Sequence, residues 1–174
     1  NSLSGFSFST HSIPGPVTFY AEGYAPPPTG EQDSIPGYTD LTPYGPGVVG
    51  RTVGPVLPPD PFDPMVFLDT LLSYTAQSRT LGWIVTETAA AKYTGYFTSV
   101  KTYLKSANLG AARRVLTQVL QDANIDSTST ITSEAYALLR YDTEYLLSKL
   151  PAPPEITALT PSMTIAGSGA FTLT

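Results

Sequence analysis

From Leu3 to Ala21 apolar and polar residues alternate, through Leu3, Phe6 and Phe8 and then Val17, Phe19 and Ala21. That two-residue period is the mark of half-buried strands. Ile13-Pro14-Gly15-Pro16 breaks the alternation and predicts a turn between two of them. Ala25 to Gly50 is dominated by Pro, Gly and Tyr, as in Pro26-Pro27-Pro28 and Tyr44-Gly45-Pro46-Gly47, and predicts an extended arm. A short strand over Val48 to Val56 leads into the stiff run Leu57-Pro58-Pro59-Asp60-Pro61.

At Asp63-Pro64 the period changes to that of helices. Asp as N-cap with Pro at the first helical position starts a helix that reaches about Leu81, with Phe67, Leu68, Leu71, Leu72 and Thr75 inward and Gly82 as its end. Thr86 or Thr88 caps a second helix through Asn108, on Tyr93, Phe97, Val100, Leu104 and Ala107. A third runs from about Leu109 to Ala123 on Ala112, Val115, Leu116 and Val119. The fourth, capped by Thr132 or Ser133 and stopped by Pro151, carries Ala135, Leu138, Leu139, Tyr145 and Leu146. Four amphipathic helices on short loops predict an all-α antiparallel four-helix bundle.

The predicted organisation is therefore mixed. A β-strand segment with a Pro/Gly-rich arm covers 1–56, a linker 57–62, the bundle 63–150, a second linker 151–154, and a further strand segment 155–174. In that last segment two strands are expected around Pro161 and Gly167-Ser168-Gly169.

Composition sharpens the picture. None of the 17 prolines falls between Asp69 and Leu150, so the packed unit lies there. Charged residues make up 13% of the chain, about half the usual share, and Ser, Thr and Tyr take their place, as on many extracellular surfaces. A net charge of -5, with no basic run longer than Arg113-Arg114, sets nucleic acid aside. The absence of cysteine removes disulfides, thiolate metal sites and a cysteine nucleophile. No apolar run is long enough for a transmembrane segment, and no charged and apolar leader opens the sequence, so the chain is expected to be an internal or mature segment.

Pro154-Glu155-Ile156-Thr157-Ala158-Leu159-Thr160-Pro161-Ser162, followed by Ala166-Gly167-Ser168-Gly169-Ala170-Phe171-Thr172-Leu173-Thr174, resembles the opening of an immunoglobulin-like IPT/TIG domain. Residues 63–150 resemble a FIMAH-like helical module, on Lys105-Ser106-Ala107-Asn108-Leu109-Gly110-Ala111-Ala112-Arg113, then Leu116 and Val119, and on Glu144-Tyr145-Leu146-Leu147-Ser148-Lys149-Leu150. The resemblance implies a secreted, modular bacterial surface protein with no established activity and no catalytic residues to transfer. On it, the strand segments acquire immunoglobulin-like character, and 155–174 is the start of a sandwich or a pair of exchanged strands.

Residues able to carry chemistry are few. His11 stands alone in a strand-like segment, and the acids Glu87 and Asp142 come from different elements. Asp122-Ala123-Asn124-Ile125-Asp126-Ser127-Thr128-Ser129-Thr130, with Glu134, alternates oxygen side chains as a calcium loop does. It lacks the glycine at the sharp turn, which is Ser127, places its apolar residue late at Ile131 and its final acid one position late. The competing reading is a polar loop capping two helices. Trp83, Tyr93, Tyr96, Tyr103, Tyr136, Tyr141 and Tyr145 suggest either core packing or a saccharide platform, with Trp83 the one placed in a loop. No catalytic, cofactor-binding or metal-ligating residue is assigned, and no cofactor is expected.

Asp142 falls at the centre of the fourth helix's apolar stripe, so a partner such as Arg79, Arg113 or a tyrosine is expected. The arm from Ala25 to Gly47 is expected to lie along another surface. The strands near each end are expected to pair in one composite sheet or, by preference, with strands of another copy, giving a homo-oligomer or open filament. The function expected is a non-catalytic structural or adhesive module at a bacterial cell surface. The alternative is a carbohydrate-binding accessory module of a secreted multidomain enzyme.

Overall fold

A computed structural model of the chain describes residues 11–21 and 47–152, with the backbone of residues 159–160 and 172–173. The expected strand at Leu3 to Phe8, most of the arm, and most of the residues that carry the IPT/TIG resemblance lie outside the described residues. Elements follow in the order β1 (Ile13–Ala21), β2 (Val48–Val56), α1 (Pro64–Thr80), α2 (Glu87–Lys105), α3 (Leu109–Asp126), α4 (Ser133–Lys149), β3 (Leu159–Thr160) and β4 (Thr172–Leu173). The fold is mixed α/β with a helical majority.

The helix boundaries follow local chemistry. Asp63 Oδ1 accepts from the Met65 and Val66 amides, at 2.7 and 3.2 Å, and Pro64 sits in the first turn of α1 where its missing N–H is harmless. Leu81 closes that helix and Gly82 follows at φ 75, a left-handed position that glycine takes without a Cβ clash. The Thr86 hydroxyl caps α2 through the Ala89 amide, and Asn108 Oδ1 caps α3 through the Ala111 amide. The abundant Ser and Thr satisfy themselves within the helices: Thr75 donates to the Leu71 carbonyl, Thr98 to Thr94, Ser99 to Gly95 and Thr117 to Arg113. A surface poor in charge is in this way compatible with long helices.

The expectation for the end of α2 needs correction. Ala107 is exposed, not part of the apolar stripe, and has φ 54. The Asn108 amide bonds to the Tyr103 carbonyl at 2.8 Å and the Ala107 amide to the Leu104 carbonyl at 3.0 Å, the crossed pair of a Schellman ending. Ala107 stands where glycine is usual, which is why the helical period ran through it unnoticed.

Each helix packs on its neighbour in the chain, and α1 packs on α4. Phe67, Leu68 and Leu71 from α1, Tyr93, Phe97 and Val100 from α2, Leu116 and Val119 from α3, and Leu138, Leu139 and Leu146 from α4 form one buried core. At one end the two loops are joined by backbone: Ile84 bridges Ile131, the Val85 amide reaches the Thr130 carbonyl and the Thr132 amide the Trp83 carbonyl. At the other, Phe62 of the linker packs between Phe67 and Tyr145, with ring centroids 5.6 and 5.5 Å away.

β1 and β2 form an antiparallel ribbon, Ile13 opposite Val56 through Ala21 opposite Val48, seated against α4. Ile13-Pro14-Gly15-Pro16 is thus the start of one continuous strand and not a turn. Every strand of a two-stranded ribbon is an edge strand, so proline's missing donor is tolerated there. Gly15 lies opposite Gly54, and a Cβ on Gly15 would stand 2.6 Å from Val56 Cγ1. Only glycine lets Val56 turn inward toward the core here.

The strands near the two ends find partners within the chain: β1 pairs with β2, and β3 with β4 through Leu159 opposite Leu173 and Thr160 opposite Thr172. The composite sheet of both ends is therefore not formed among the described residues. Among the described strands, β2 is the one next to β1 in sequence, and it runs antiparallel to it.

Candidate functional site

Polar side chains within the helical unit converge between α2 and α3. The Tyr93 phenol donates to Asp126 at 2.7 Å and the Tyr96 phenol to Asp122 at 2.8 Å, and the Lys92 ammonium lies 2.6 Å from Asp126 and 3.4 Å from Asp122. Gln118 adds a bond to Asp122 at 2.8 Å. Burial pushes the Tyr93 phenol upward, and Asp126 beside it pushes further. Burial also pushes Asp122 up, but the bonds from Tyr96 and Gln118 and the charge of Lys92 outweigh it and hold the carboxyl below its ordinary value. One cation, two carboxylates and two phenols satisfy one another, so the cluster acts as a clasp between two helices.

That clasp overturns the premise of a calcium loop. Asp122 to Asp126 belong to α3, with Asp122 and Asp126 facing α2, while Asn124 accepts from Tyr136 at 2.9 Å and from Arg140. Glu134 turns to Thr132 and Ser133 at 2.6 and 3.2 Å. The helix runs on through Ala123 and Ile125, so the oxygens diverge where a loop would have gathered them. Only Ser127 to Thr132 remain between α3 and α4.

Other sequence-level candidates are dispersed. His11 is exposed at the foot of the ribbon, and Glu87 pairs on the surface with Arg79 at 3.1 Å, away from Asp142. Trp83 is buried, 8% exposed, so it is a core residue and not a ring presented to solvent. Tyr141 is half exposed, edge-on to Tyr136 at 6.3 Å with the Arg140 guanidinium above both.

Asp142 is fully buried, as its phase on α4 required, but the expected partner is missing. Neither carboxylate oxygen, nor the neighbouring buried Thr143 hydroxyl, has a hydrogen-bond partner among the described residues. Arg79 is turned to Glu87, and Arg113 donates to the carbonyls of Leu147, Leu150 and Pro151 at 3.1 to 3.3 Å, capping the end of α4. Desolvation alone raises the Asp142 carboxyl to about 8.

Among the described residues the surface most open to another molecule is the outer half of the ribbon, part of the strand segment that the sequence reading expects to pair with another copy. The inner half of the ribbon packs down through Ile13, Val53 and Val56, but the outer half stands clear. Phe19 is 39% exposed, Val48 63% and Val49 67%. Among the described residues no third strand joins β1 or β2. Beside β2 a shallow groove of about 410 Å³ is lined by Arg51, Ser73, Ala76, Gln77, Thr80 and Leu81. No protein-family model, curated protein or solved structure matches the chain. Chemically, the outer ribbon offers strand backbone flanked by exposed apolar side chains, Phe19 and Val48 on one face and Val49 on the other, which suits the addition of an extended strand.

Proposed function

We propose that the chain is a non-catalytic structural or adhesive module of an extracellular bacterial surface protein, self-associating through the outer half of its β1–β2 ribbon into open-ended assemblies. The observation that carries this reading is the set of exposed apolar side chains, Phe19 and Val48 on one face of the ribbon and Val49 on the other, on strands whose outer edges take no third strand among the described residues. Exposed edges of this kind are normally blunted or covered, because they pair with other strands. The ring of contacts from α1 through α4 supports an up-and-down antiparallel bundle acting as a rigid spacer. The IPT/TIG resemblance supports immunoglobulin-like character for the strand segments.

The carbohydrate-binding alternative keeps one observation, the half-exposed Tyr141 beside Tyr136 and Arg140. It loses Trp83, which is buried.

Amide hydrogen exchange of the full chain at low and high concentration separates the two. Self-association slows exchange at Val48 to Arg51 as concentration rises. A saccharide module leaves the ribbon unchanged and instead shows protection around Tyr141 on adding sugar oligomers.

A further inference from the structure

α4 packs against α1 and α3, and the ribbon is seated on it. At the centre of its buried face, between Leu138, Leu139 and Leu146, stands Asp142, with neither oxygen hydrogen-bonded and with the unpartnered Thr143 hydroxyl next to it in the helix. An ionised carboxylate in that position has given up its water and received nothing in return, whereas the neutral acid forgoes far less. We propose that Asp142 is a proton-operated lock on α4: as the neutral acid it holds α4 packed against α1, α3 and the ribbon, and as the carboxylate it loosens that packing.

Among the described residues no cation compensates it. From α1, Tyr74 lies near Asp142, and its phenol, raised first by burial and then by the Asp142 charge, stays neutral and supplies no positive charge. Arg79 of the same helix is taken by Glu87. On α3, Arg113 is held by the carbonyls at the end of α4. From the ribbon, Arg51 donates to Thr18 on the exposed side. On α4 itself Arg140 pairs with Glu144 at the surface.

The sign follows from linkage. The folded-state value, about 8, lies above that of an unfolded aspartate, about 4. The stabilising effect of the bound proton is fully present below pH about 4 and is lost as pH rises to about 8, beyond which nothing more is lost. Asp122 and Glu134, both held below their ordinary values, act only at the acid end, where their contribution is lost as pH falls. Stability should therefore peak in mild acid, a device that keeps the chain closed in acidic surroundings and loosens it in alkaline ones.

Urea unfolding of the full chain from pH 4 to 9 tests this, independently of the adhesive reading. The unfolding constant should rise by up to about tenfold per pH unit between pH 5 and 8, and Asp142→Asn should abolish that rise. A wild-type chain whose stability is level or increases over this interval, or a variant that retains the fall, overturns the lock. Should Asp142→Asn fail to fold, carboxyl-carbon NMR of the native chain decides. One aspartate titrating near 8 supports the proposal, and all aspartates titrating below 5 refute it.

Discussion

The Tyr93 ring is wholly buried among the helices while its hydroxyl, 2.7 Å from Asp126, ties α2 to α3. Apolar packing and a charge-assisted bond therefore meet in one side chain. Tyr93→Phe keeps the ring and leaves Asp126 with Lys92 alone, so a loss of about 1.5–3 kcal/mol in urea unfolding is expected. Combining it with Asp126→Asn should give less than the sum of the single losses, because both remove the same bond.

Ala107 occupies a left-handed position, φ 54, where its Cβ is strained. Ala107→Gly should raise stability by up to about 1 kcal/mol, measured as a higher melting temperature. The same substitution at Ala112, which is helical and buried, should lower it.

Arg113 bridges three carbonyls at the end of α4. Arg113→Ala should cost about 1–2 kcal/mol and speed amide exchange in the last turn of α4, while Arg113→Lys, lacking the planar fork, recovers only part of the loss.

How much of this could be read from the sequence depended on whether the signal was local. Asp63-Pro64, Gly82 and Thr86 mark helix ends by their own chemistry, and the 3.6-residue period placed Asp142 inside correctly. Its partner could not be read in the same way, since whether Arg113 faces Asp142 or the α4 terminus depends on the rotation of one helix against another. Pro14 and Pro16 mark turns and edge strands alike, and only the presence of β2 decides between them. The oxygen pattern from Asp122 onward fits a metal loop and a helix face alike, and Ala123 and Ile125 continue the helix that the structure extends to Asp126. The clasp of Lys92, Tyr93 and Tyr96 was hidden, because its acids lie about thirty residues along the chain, at separations of 26 and 33 for the two tyrosines.

Trp83 is the sole tryptophan and is buried, so it reports on the core without ambiguity. Native emission should be blue-shifted and poorly quenched by acrylamide, turning red on unfolding, and saccharides should leave it unchanged. Strong acrylamide quenching in the native chain would place the ring in solvent.

Sedimentation velocity over a wide concentration range tests the central reading, self-association through the outer ribbon, most directly. The native chain should form species that grow with concentration without stopping at one closed size, and Val49→Lys and Phe19→Lys should each return it to monomer with the helical signal intact. A native chain that stays monomeric at every concentration, or ribbon variants that assemble as it does, would contradict the account.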